Sequence, residues 1–398
     1  MQTKGIFLTF YFVLQKTFAT FAENLEIMKK GCWLLGVVCA VAVIGLSGCK
    51  NARGGTKVSA TGSIYECLVV MPSRPLAHPQ EVKSASAYAE NIATTYDMVK
   101  AVMEADMPCL PQMEPYFKLT HVSPAAFDDF LKPTRNILII DIDADRYTQT
   151  KAKYSLDYWS HPQAVYRIQV PNDETFIAYW EAHGEEVRDW FVKQEIERQK
   201  LFYRASTDKT ARAALQKHIG IDMWVPEDYI LIQDSRFKIQ NSDSVDVVWC
   251  CNNKGPMRRD LVVYSYPYTD ANTFTPEYLN AKRDEVLGQL ITASVEGSYM
   301  GTEYKVFPPQ MRIIQTDPYK AEVRGLWKIY NGEAMGGPYV SHTTVDEINH
   351  RIITAEVYIL APGQKKRNAL RQAEAILYTM VLPQQINELQ EVKVESRK

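Results

Sequence analysis

Four groups of residues in this chain have types and spacing that could do chemistry. Asp141, Asp143 and Asp145, in the run DIDAD, close an apolar stretch and put alternate carboxylates on one face of a strand, where they could hold a hard cation through oxygen. A strand end turning into solvent explains the same pattern, and no metal is assigned. Ser206 and Lys209 stand three apart, as a nucleophile and its base can, but no Lys-Thr-Gly or Ser-Asp-Asn accompanies them and they precede a helical stretch that such residues cap. The run GGPYVSH supplies Tyr339, Ser341 and His342, which could line a binding pocket with Tyr266 and Tyr268; its paired glycines suit positive φ or close backbone approach. A hairpin turn followed by a half-exposed strand is the alternative. Lys365, Lys366 and Arg367 lie at the first turn of the last helix, where cations oppose the dipole, so either solvent screens them or an anion sits among them. The histidines stand apart from any cysteine pair or helical histidine partner, so no zinc site is expected; no catalytic residue and no cofactor is assigned.

Cys49 belongs to a different pattern. From Met28 the chain offers Lys29 and Lys30, an apolar run from Cys32 to Gly45, and then Leu46, Ser47 and Gly48. The run is shorter than the roughly 18 residues of a membrane-spanning helix, which leaves a removable signal over residues 28–48. Leu46-Ser47-Gly48-Cys49 resembles the lipobox of bacterial lipoproteins, in which the cysteine thiol receives a diacylglyceryl group and becomes the new amino terminus. Residues 49–62 then read as a lipidated tether. Glu23 and Glu26 are foreign to a signal's leading part, so residues 1–27 read as a gene-model extension ahead of a start at Met28.

From Cys49 onward 350 of the 398 residues remain, enough for two ordinary domains. Four of the 45 Lys and Arg and two of the 47 acids precede Cys49, leaving 41 basic against 45 acidic side chains. That small negative excess offers no general attraction to nucleic acid or anionic lipid. Export permits disulfides among Cys67, Cys109, Cys250 and Cys251, and spacing cannot choose the pairing. Cys250 and Cys251 are neighbours in a strand and point to opposite faces, which favours buried thiols over a vicinal bridge.

The first stretch, residues 63–205, reads as an α/β domain. Apolar strands are expected at 65–71, 136–142 and 164–170, with helices over 85–105 and from an Asn172 cap onward. Residues 206–383 change rhythm: seven candidate strands at 228–233, 246–251, 260–266, 311–315, 322–329, 339–345 and 351–360 run as an antiparallel meander. One helix starts at Thr275 and Pro276, and another covers 366–380. This is an α+β domain, an antiparallel sheet with packed helices, followed by a flexible tail over 384–398.

The stretches YECLVV, RNILIIDID, VYSYPYTDANTFTPEYLNAKRD, EVRGLW, GGPYVSH and RNALRQAEAILY resemble a family of Bacteroidetes envelope lipoproteins with a domain of unknown function. The order of elements in the second half also looks PsbP-like, an α-β-α sandwich, at the level of fold alone. The resemblance implies an envelope lipoprotein without an assigned activity. Surface-displayed members of that group carry acids just after the lipidated cysteine; Lys50, Asn51, Ala52 and Arg53 here imply an outer-membrane anchor facing the periplasm. The expectation is therefore a non-catalytic binding or scaffold protein, with the membrane and an envelope protein as partners. A hydrolytic enzyme with an unrecognised site, or a periplasmic small-ligand binder, are the alternatives.

Overall fold

The computed structural model describes residues 57–80, 92–239, 244–269 and 271–385; the expected signal, Cys49, most of the expected tether and nearly all of the expected tail lie outside them. The first sheet holds β1 (Glu66–Val70), β2 (Lys118–Val122), β3 (Asn136–Ile142), β4 (Lys151–Leu156) and β5 (Ala164–Val170) in the order β2-β1-β3-β5-β4. Its pairs are parallel except β4 with β5. Central parallel strands are buried on both faces, hence apolar without alternation. Val69, Leu138 and Ile168 face the main core, while Leu68, Ile137 and Val165 pack under Phe127 and Trp159.

Two helices cover the core side. The expected helix over 85–105 is shorter at its described end: Ile92–Thr94 is extended, and α1 runs Thr95–Met103. A capping box sets that start, with Thr94 accepting from the Asp97 amide and Asp97 accepting from the Thr94 amide. Residues 81–91 lie outside the described set. Helix α2 (Asp173–Ala205) begins as expected, Asn172 accepting from the Thr175 amide at 2.9 Å with Asp173 and Glu174 in the first turn. It buries Phe176, Trp180, Val187 and Phe191, and the Trp180 indole donates to the Met98 carbonyl at 3.0 Å, tying α2 to α1.

Asp208 caps the short α3 (Lys209–Ala214), accepting from the Ala211 amide at 2.7 Å. The second sheet is antiparallel throughout. It comprises β6 (Ile230–Lys238), β7 (Ser244–Asn252), β8 (Arg258–Pro267), β9 (Tyr299–Glu303), β10 (Gln310–Thr316), β11 (Tyr319–Tyr330), β12 (Gly336–Asp346) and β13 (Arg351–Leu360). The order is β6-β7-β8-β13-β12-β11-β9, with β10 on the other half of β11's outer edge. Helix α4 (Pro276–Leu290) covers one face through Leu279, Val286 and Leu287, against Tyr264, Trp327 and Tyr339. Helix α5 (Arg367–Leu377) covers the other through Leu370, Ala373 and Ile376, and meets α2 where the Tyr203 hydroxyl donates to the Gln372 carbonyl at 2.9 Å. One continuous cluster of buried apolar residues thus runs from the first sheet through α2 and α5 to the second, and the described residues form a single compact unit. No described helix is long and apolar enough to cross a membrane.

Candidate functional site

Alternation along β11 decides which side chains meet. Ala321, Val323 and Trp327 point toward α4, so Glu322 and Arg324 point toward α5 and α2. Arg371 and Glu374 on α5 and Tyr378 at its C-cap recur at helical spacing and reach the same place. Helix α2 presents Arg188, Val192 and Ile196, four apart and on one face. On β10 the register slips between Ile313 and Gln315, and the unpaired Ile314 turns to the same side. These elements enclose a cleft of about 560 Å³.

A charged network forms its floor. Arg324 donates from Nε to Glu322 Oε1 at 2.7 Å and from Nη2 to Glu322 Oε2 at 3.1 Å, and Nη2 also reaches Glu374. Arg371 Nη1 donates to Glu374 Oε2 at 3.1 Å, and Arg312 Nε to Glu322 Oε1 at 2.7 Å. Glu322 and Glu374 are fully buried. Burial alone would raise the Glu322 carboxyl, but Arg324, His342 and Arg312 outweigh it and hold it well below the ordinary carboxylate value. Burial likewise opposes the Arg324 charge, and Glu322 with Glu374 overcomes it.

His342 touches this network from β12. Burial lowers its pKa below the ordinary 6.5 despite the carboxylate at its side, so the ring is neutral at pH 7. Its Nε2 lies 3.3 Å from Glu322 Oε2, so Nε2 carries the proton and Nδ1 is left as a buried acceptor without a partner among the described residues. Both His342 and Glu322 have depressed folded values, so each contributes stability that is complete above its unfolded pKa and is lost as pH falls through the folded one. Unfolding free energy from urea titrations should therefore fall between pH 7 and pH 5 through His342, whose ordinary value is 6.5. Glu356, raised by burial, acts in the opposite sense, so the decisive quantity is the difference from His342→Gln. That variant should show a flatter acid limb, and identical slopes would contradict the assignment.

The residues singled out from sequence are placed as follows. Tyr339 and Ser341 face α4, whereas His342 faces α5, because neighbours on a strand point to opposite sides. Tyr339 lies with Tyr266 in the α4-side core, Tyr268 is 37% exposed, and the group does not line one pocket together with His342. The glycines before them serve close approach: a Cβ on Gly337 would sit 2.0 Å from the Ile359 carbonyl oxygen. Lys366 and Arg367 have their anion supplied internally, since their amides donate to the buried Glu114 carboxylate at 2.6 and 3.1 Å. The Lys366 ammonium turns aside to Gln112 and the Gln364 carbonyl, and Lys365 joins neither contact. Asp143 accepts from the Asp145 and Arg146 amides, a local turn, and no described acidic or histidine cluster could hold a metal ion. Cys67, Cys109, Cys250 and Cys251 are buried free thiols.

Arg188, Arg312, Arg324 and Arg371 were not singled out from the sequence. For Arg324 the sequence holds a signal, two opposite charges at alternate positions of an otherwise apolar strand, in EVRGLW.

Two family profiles match the chain. Residues 208–379 match DUF4837 and residues 60–203 match DUF8532, both domains of unknown function. The cleft draws on both: Arg188 and Val192 come from the DUF8532 stretch, Arg312, Arg324 and Arg371 from the DUF4837 stretch. No curated protein matches. Among solved structures, the solution structure of cyanobacterial PsbP (CyanoP) from Synechocystis sp. PCC 6803 is a distant neighbour, 10% identical, covering 44% of this chain and 89% of that one with a TM-score of 0.29.

Proposed function

We propose that this protein is a lipid-anchored binding protein of the bacterial envelope, built of two domains over residues 63–205 and 206–383. Cys49 holds it in the outer membrane, facing the periplasm, and the cleft between α2 and β10 to β11 takes a small ligand. The location rests on the signal pattern and on Leu46-Ser47-Gly48-Cys49. The single observation behind the binding role is the cleft itself, whose volume of about 560 Å³ lies in the range of small-molecule sites, roughly 300–1,000 Å³. Its character favours binding over catalysis: Glu322 and Glu374 are held as charged partners of arginines, and the neutral His342 is shut inside the fold.

The test is native mass spectrometry on full-length protein extracted from envelopes, beside Val192→Trp, which fills the cleft from α2, and Cys49→Ala. Wild type should carry a small-molecule mass that Val192→Trp lacks, and Cys49→Ala should lose the acyl mass and labelled fatty acid. Equal masses for wild type and Val192→Trp would overturn the binding role; unchanged labelling of Cys49→Ala would overturn the anchor.

A further inference from the structure

The charges at the cleft floor do not balance. Arg312, Arg324 and Arg371 meet two carboxylates, Glu322 and Glu374, which leaves one positive charge over. Arg188 adds a guanidinium at the α2 wall, stacked 4.3 Å over the Tyr116 ring and paired through Nε with Asp189 at 3.0 Å. The surplus has a specific address. Arg324 is 7% exposed, lines the cleft, and its Nη1 is enclosed with no hydrogen-bond partner among the described residues. A buried cationic N–H without an acceptor is costly, and an incoming oxyanion would relieve it. Arg312, with 56% of its side chain exposed and Glu322 as its acid partner among the described residues, lines the same cleft. Away from the arginines the lining carries the apolar side chains of Val192, Ile196 and Ile314, alongside Lys193, Glu197 and Gln310.

We infer that the cleft binds an organic monoanion, a carboxylate on an apolar body, with one carboxylate oxygen accepting from Arg324 Nη1 and the other lying toward Arg312. This rests on the binding role proposed above and names its ligand class. One unit of surplus charge matches one carboxylate, and the apolar side chains of the lining receive the body that carries it.

The probes are benzoate, benzyl alcohol and benzylammonium, which share a ring and differ in charge, titrated calorimetrically into the detergent-solubilised full-length protein at pH 7. Benzoate should bind at least tenfold more tightly than either of the others. Arg312→Gln, at a side chain exposed enough to be replaced without unfolding, should weaken benzoate about three- to tenfold and leave benzyl alcohol unchanged. Arg324→Lys, checked by circular dichroism for a retained fold, should abolish the preference for benzoate. Equal affinity for the three probes, or benzoate binding unaltered in Arg312→Gln, would overturn the anion assignment and leave a cleft that binds by its apolar side chains. Binding of none of the three would overturn the binding role and this inference with it.

Discussion

Replacing Glu322 by alanine should lower the unfolding free energy by about 3–5 kcal/mol, the usual cost of breaking a buried ion pair by removing one partner. Glu322 is fully buried on β11 and accepts from Arg324, Arg312 and Tyr378, with His342 beside it. Its removal leaves the buried Arg324 with Glu374 as its remaining acid and the donors that met Glu322 unsatisfied. Glu322→Gln keeps the shape but loses the charge and turns one of two accepting oxygens into a donor, so it should recover only part of the loss and fall between alanine and wild type. Urea titrations at pH 7 read this directly, and a loss under about 1 kcal/mol for Glu322→Ala would mean that water reaches the network and screens it.

Arg283→Met should cost about as much on the opposite face of the sheet, roughly 3–5 kcal/mol. Arg283 projects from α4 and donates from Nε and Nη2 to Glu356 at 2.8 and 2.7 Å, from Nη1 to Thr302 at 3.0 Å, and lies 3.8 Å over the Tyr339 ring. Burial raises the Glu356 carboxyl even against the pull of Arg283, so the pair is formed at a large desolvation cost. Removing both charges together, Arg283→Met with Glu356→Leu, should therefore restore most of the loss, as apolar replacements of buried pairs do. A double-mutant cycle measures that recovery; a double variant as unstable as the sum of the singles would show the two residues to act independently.

The two networks also show how far sequence reasoning reaches. Strand periodicity in residues 228–360 is explicit because the second sheet is antiparallel and its turns are polar, and seven of its eight described strands overlap the expected ones; β9 (Tyr299–Glu303) does not follow from that rhythm and lies at the sheet's far edge instead of beside β8 as a meander would place it. The start of α2 is equally local, since Asn172 caps it with its own neighbours. By contrast β2, with its half-exposed sequence KLTHV, and the wholly exposed edge strand β4 carry no apolar run and are defined by the strands they pair with. The helix over 85–105 was overextended because apolar spacing continues across Ile92, while the capping box at Thr94 and Asp97 interrupts the backbone there.

At the candidate site the division is sharper. Alternation alone states that Glu322 shares a face with Arg324, and that Tyr339 and His342 do not share one. It cannot state what each face meets. Arg188 and Arg324 are brought to one cleft only by the docking of α2 beside β11 and α5, and the anion at Lys366 and Arg367 is a carboxylate from Glu114, far away in the chain. Caps and strand runs are properties of contiguous residues, so the sequence by itself determines them. Charge surplus and cleft shape are sums over segments far apart in the chain, and only tertiary packing decides which charges find partners and which, like Nη1 of Arg324, are left without one among the described residues.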